Sequence, residues 1–124
     1  MEIIKNILAV GAGSFIGGAA RYIVSLAMKG IGKGFPWATL AVNLVGCLMI
    51  GLLWGLLSRN AAENTSWGLF LTVGLCGGLT TFSTFSKEAL AMLQTGQTWG
   101  FASYIALSIL AGIALVALGY YIGR

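Results

Sequence analysis

The chain has 124 residues, 58% of them hydrophobic and only 8% charged, with a net charge of +4. A soluble domain of this size carries about a quarter charged residues, so a water-facing globule is excluded and a membrane protein is expected. With no histidine, no acidic cluster, no phosphate-cradling glycine signature and basic residues scattered over helix ends, the chain is also unlike a zinc or two-metal hydrolase, a nucleotide enzyme or a nucleic-acid binder.

No stretch alternates apolar and polar residues as a membrane barrel would. Asn6 to Ala20 has 15 residues without a charge, and the span continues past Arg21 towards Met28. Gly34 to Ser58 has 25, Asn64 to Ser86 has 23 and Ala89 to Gly123 has 35, each beyond the roughly 20 needed to cross hydrocarbon. The expected fold is all-α: a single transmembrane domain over residues 1–124, with four transmembrane helices at about 4–28, 36–58, 66–93 and 99–122. A signal peptide is the alternative for the first span, but Glu2 and Lys5 give it almost no net charge and three further spans come after it.

With four spans, Lys5, Arg59 and Arg124 share one side, and Lys29, Lys33, Lys87 and arguably Arg21 the other. The positive-inside rule therefore gives no orientation. One reading is a noisy count over short loops. The other is a chain that inserts both ways and meets an opposed copy as an antiparallel dimer, recreating the inverted-repeat symmetry of many transporters.

In the first span, Gly13 and Gly17 form a small-xxx-small pair that favours a tight helix crossing. Arg21, near its end, either snorkels to the interface or places a fixed positive charge at the mouth of an aqueous vestibule. Span two opens after the only proline, Pro36, with Trp37 as an interfacial anchor. Within it, Asn43 shares a face with Thr39 and Gly46; its amide needs a partner in hydrocarbon, as interhelical glue or as a pore-facing hydrogen bonder. Gly51 and Gly55 repeat the small-residue spacing, and Cys47 and Cys76 are read as unbridged packing residues.

Span three carries "GLCGGLTTFSTFSKEA", residues 74–89. Gly77 and Gly78 fall near the midplane, where glycine permits a helix break that frees backbone groups. Such backbone is tolerated only where protein, water or an ion satisfies it, and Thr80, Thr81, Ser83 and Thr84 offer hydroxyls there. Phe82 and Phe85 share a face; they are packing residues, or their positive ring edges touch a small anion. In span four, Tyr104 and Ser108 stand four apart with Gly112 on the same stripe, and Trp67 and Trp99 read as interfacial anchors.

The interior inventory is hydroxyls, one amide, aromatic edges and a nearby cation, without a central carboxylate. That argues against a proton-coupled exporter, and no activated nucleophile or acid–base pair supports an enzyme. It suits conduction of a small hydrogen-bonding anion. Carbonyls released at Gly77 would repel that anion unless a cation occupied them.

Three motifs now carry a resemblance over essentially the whole chain: "GAGSFIGGAARY" near the start, "PWATLAVNLVG" through span two and "GLCGGLTTFSTFSKE" in span three. The chain resembles the fluoride channel family known as Fluc or CrcB. The resemblance implies an antiparallel homodimer in the bacterial inner membrane, with two pores along the subunit interface that let fluoride leave the cytoplasm passively. It implies Phe82 and Phe85 as pore-lining rings, Asn43 as the pore amide, Tyr104 and Ser108 as a polar track, and Thr81 and Thr84 as secondary hydroxyls. Arg21 would be the arginine of the first-span motif. A structural sodium ion (Na+) would sit on the twofold at the break, bound by backbone oxygens of Gly77 and Thr80 from both subunits. The partners implied are fluoride, an identical opposed subunit and membrane lipid, with no nucleic acid.

The stripe ends at Gly112 where some relatives continue with a hydroxyl, and Thr81 stands where serine is frequent. Among rivals, a small multidrug exporter would need an acidic residue inside span one, where Glu2 is the only candidate. A pair of unlike subunits and a membrane assembly factor without transport are the others.

Overall fold

The computed structural model describes residues 2–32 and 34–124; Lys33, one of the first-loop charges counted above, and Met1 lie outside the described residues. Four long apolar helices dominate: α1 (Glu2–Ala27), α2 (Trp37–Arg59), a third span (Ser66–Gln94) and a fourth (Thr98–Gly123). No strand occurs among the described residues. All bounds fall within two residues of those expected, because the charge-poor runs set them. The third span is in two pieces, α3 (residues 66–79) and α4 (Phe82–Gln94), so the fourth is α5.

Glycine rows set the packing. A Cβ placed on Gly17 would stand 2.7 Å from the Leu79 nitrogen and 3.0 Å from the Gly78 carbonyl carbon, and one on Gly74 2.9 Å from the Gly13 Cα. On the other pair, a Cβ on Gly55 would lie 2.6 Å from the Tyr120 carbonyl oxygen, and one on Gly119 2.6 Å from the Leu52 nitrogen. The backbones thus touch, α1 against α3 and α2 against the C-terminal part of α5, the close approach that small residues allow in membrane helices. The spacings at Gly13/Gly17 and Gly51/Gly55 do what their sequence suggested. α4 is held by a separate cluster in which Leu40, Ala89, Met92 and Tyr104 are buried, with Phe35 and Phe85 packed against it.

Two stretches, Phe70–Cys76 and Leu107–Ala111, are π-helical. Each widened turn shifts the angular phase of the residues C-terminal to it relative to an α-helix.

The break in span three is real but does not lie at the double glycine. Gly77–Leu79 remain helical, and the backbone extends at Thr80 (φ −87°, ψ 160°) and Thr81 (φ −153°, ψ 123°). Gly78 serves contact instead: a Cβ there would meet the Ser14 carbonyl oxygen at 2.7 Å and the Gly18 nitrogen at 3.1 Å. The threonines favour extended backbone because they are β-branched, and the Thr81 hydroxyl accepts the Thr84 N–H at 3.2 Å, capping α4.

Candidate functional site at the helix break

In an unbroken helix the N–H groups of Thr81, Phe82 and Thr84 would serve the carbonyls of Gly77, Gly78 and Thr80. The ladder ends one residue earlier, where the Thr80 N–H and hydroxyl both donate to the Cys76 carbonyl, at 3.1 and 3.0 Å. The Thr81 N–H goes instead to Asn43 Oδ1 at 2.8 Å, and Asn43 Nδ2 donates to the Thr81 carbonyl at 3.1 Å. From α1, Arg21 Nε donates to the Gly78 carbonyl at 3.2 Å. The Thr84 N–H is taken by the Thr81 hydroxyl. The Gly77 and Thr80 carbonyls lose their helical donors without such a replacement among the described residues. Neutral oxygens of unwound backbone are the donor type that holds sodium in membrane proteins, so these residues fit the ion that the motif implies.

A cavity of about 430 Å³ opens beside the break, and Asn43, Thr81, Phe82, Phe85 and Ser108 line it. Gly77 and Thr80 lie on the same wall. The two rings are 5.9 Å apart and tilted by 46°. Phe82 is 79% exposed on the subunit surface, while Phe85 leans on Tyr104 at 4.9 Å. The Ser108 hydroxyl is buried with no hydrogen-bond partner among the described residues. An orphaned hydroxyl in such a place costs stability unless something else occupies its lone pair or proton.

Tyr104 is absent from this wall. It is fully buried in the core behind Phe85, where its hydroxyl donates to Glu88 Oε1 at 3.0 Å. The π-helical turn beginning at Leu107 takes Ser108 out of the phase it would share with Tyr104 on an α-helix.

Arg21 and Thr84 line a second cavity, of about 210 Å³, with Thr39 and Glu88. Thr81 lines both cavities, so the break is the partition between them. Three relationships went unread in the sequence: Arg21 with Gly78, Tyr104 with Glu88, and the presence of both free cysteines on the larger cavity's wall. The second had a signal, since a phenol in hydrocarbon needs a partner and Glu88 is the only carboxylate in the third and fourth spans.

Four helical spans, one of them interrupted beside a cavity with polar groups, define a small multi-pass membrane protein of the channel or carrier class. The family described as CrcB-like protein, Camphor Resistance (CrcB), matches residues 8–120, and the chain belongs to it. A protein of Desulfotalea psychrophila named "Fluoride-specific ion channel FluC" is 44% identical over 124 residues, covering 100% of this chain and 96% of that relative. Proteins of the same name from Phocaeicola vulgatus and Agrobacterium fabrum are each 42% identical, over 97% and 96% of this chain and 99% and 96% of their own lengths. The chain is therefore a bacterial multi-pass membrane protein of an ion-channel family and not an enzyme.

Proposed function

We propose that this chain, as one transmembrane domain, forms a passive fluoride-selective channel that lets fluoride leave the cytoplasm and so limits its toxicity. The carrying observation is the cavity that Asn43, Phe82, Phe85 and Ser108 line together, with the buried Ser108 hydroxyl behind its wall unpartnered among the described residues. Fluoride is small and strongly hydrated, so it enters only where donors replace its water. Ser108 has a free proton to give. Asn43 uses one amide hydrogen on Thr81 and retains the other, and the Thr81 hydroxyl accepts from Thr84 and lies 3.5 Å from the Ser83 hydroxyl, so this hydroxyl pair has one hydrogen to offer beyond the one it shares. The positive edges of Phe82 and Phe85 add weak attraction without a countercharge that would trap the ion. Chloride, larger and a poorer acceptor, gains less from the same donors.

Arg21 and Thr84 form the vestibule, where the guanidinium raises the local anion concentration. Tyr104 acts from behind, by holding Phe85 in place. The functional unit is an antiparallel pair of identical subunits in lipid, with two pores along their interface. Exposed Phe82 and the open side of Gly77 are surfaces such a partner would cover. The carbonyls of Gly77 and Thr80 from both subunits would hold a structural sodium ion, which supplies positive field to the pores.

The test is efflux from liposomes containing the purified protein, read with a fluoride electrode beside a chloride-electrode control. Rapid fluoride release with almost none for chloride is expected. Silence in both from a folded dimer would overturn the reading.

A further inference from the structure

We infer that Arg21 is a positioning residue for the helix break: by holding the Gly78 carbonyl, it fixes the direction of the adjoining Gly77 carbonyl. The inference rests on the sodium reading above and assigns Arg21 a task besides its charge.

The approach is built, not a loose surface contact. One turn before Arg21, Gly17 brings α1 against the Gly78–Leu79 backbone, and the Gly18 nitrogen faces Gly78. Arg21 then reaches the Gly78 carbonyl through Nε, at the base of the guanidinium fork. Its terminal nitrogens carry the remaining four N–H groups, and the side chain lines the 210 Å³ vestibule.

The bond matters because of what lies on either side of it. The peptide that carries the Gly77 oxygen is joined to the peptide that carries the Gly78 oxygen only through the Gly78 Cα. Glycine leaves that hinge the widest freedom of rotation, and the helical donors for both oxygens are gone. Arg21 pins one of the two peptides, and the other inherits a restricted direction. Charge alone would work the other way, since a guanidinium beside a cation site weakens it. The donor, not the charge, is what the site gains.

Two substitutions separate donor from charge. Gln places its amide nitrogen the same number of bonds from Cα as Arg Nε, so Arg21→Gln keeps the donor and removes the charge. Lys has a methylene at that point, so Arg21→Lys keeps the charge and removes the donor. The readout is the thermal unfolding of the purified protein titrated with sodium against N-methylglucamine. Arg21→Gln should retain a near wild-type half-maximal sodium concentration, whereas Arg21→Lys should need about tenfold more, the scale of one charge-assisted hydrogen bond. Any result in which the Gln variant does no better than the Lys variant overturns the positioning role. A wild-type protein indifferent to sodium would sink the sodium reading instead. Amide exchange over Leu79–Thr81 then decides the positioning role: faster exchange in the Lys variant than in the Gln variant supports it, and equal rates overturn it.

Discussion

Asn43 grips Thr81 from both sides, accepting its N–H at 2.8 Å and donating to its carbonyl at 3.1 Å. One side chain of α2 thus replaces two backbone bonds at the break. Asn43→Ala leaves both groups unpaired within the membrane, and each costs about 1–3 kcal/mol when orphaned. The variant should unfold at clearly lower temperature or denaturant and lose fluoride flux. Unaltered stability would mean that the clamp carries no weight in the assembled protein.

The neighbouring glycines should respond differently to the same added methyl. At Gly78 it would collide with the Ser14 and Gly18 backbones, whereas at Gly77 the nearest atom is the Thr72 carbonyl oxygen at an ordinary 3.9 Å. Gly78→Ala should therefore disrupt folding itself, by the roughly 1–3 kcal/mol of an overpacked contact. Gly77→Ala and Gly77→Val should yield helical subunits that fail in assembly or in sodium stabilisation. Circular dichroism and cross-linking of the three variants side by side separate the two cases; equal behaviour refutes the distinction.

For the paired rings, flux and stability should dissociate. Phe82→Ile and Phe85→Ile both remove an aromatic edge and should slow efflux about tenfold or more, equivalent to about 1.4 kcal/mol on the barrier. Phe85 packs on Tyr104 as well as on Phe82, so its replacement loses two aromatic pairs and should lower stability more than Phe82→Ile, which loses one, at about 0.5–1.5 kcal/mol per pair. A normal rate in folded Phe82→Ile would remove that ring from the mechanism.

Ser108→Ala should move the two properties in opposite directions. Its hydroxyl is buried and unpartnered, so removing it should leave the protein as stable or slightly more so, while fluoride efflux falls. A variant with wild-type flux would show that this hydroxyl is not part of the path.

The spans were legible because membrane thickness imposes a length that charge-free runs display directly. The glycine rows were legible as well, since close approach has a four-residue spacing. The place of the break was not. Gly77 and Gly78 offer the more obvious weak point, yet Gly78 is needed against α1, and the extended residues are threonines, one of which can cap α4. Nor did spacing reveal where Tyr104 and Ser108 would face. Counting by fours assumes an α-helix throughout, whereas Leu107–Ala111 turn as a π-helix, which changes the spacing that shares a face. For Asn43, sequence had left glue and pore lining as alternatives. The amide does the first, on the wall of the cavity beside the break.

The glycine rows also decide how the subunit can deform. Backbone laid directly on backbone has no side chain to yield, so α1 with α3 and α2 with α5 behave as two stiff pairs. Asn43 crosses the seam from one pair to the other and meets it at Thr81. Sliding the pairs past each other by one residue's rise, about 1.5 Å, would pull both of its bonds apart. A bilayer that stretches or thickens around this protein would therefore act on the broken helix first.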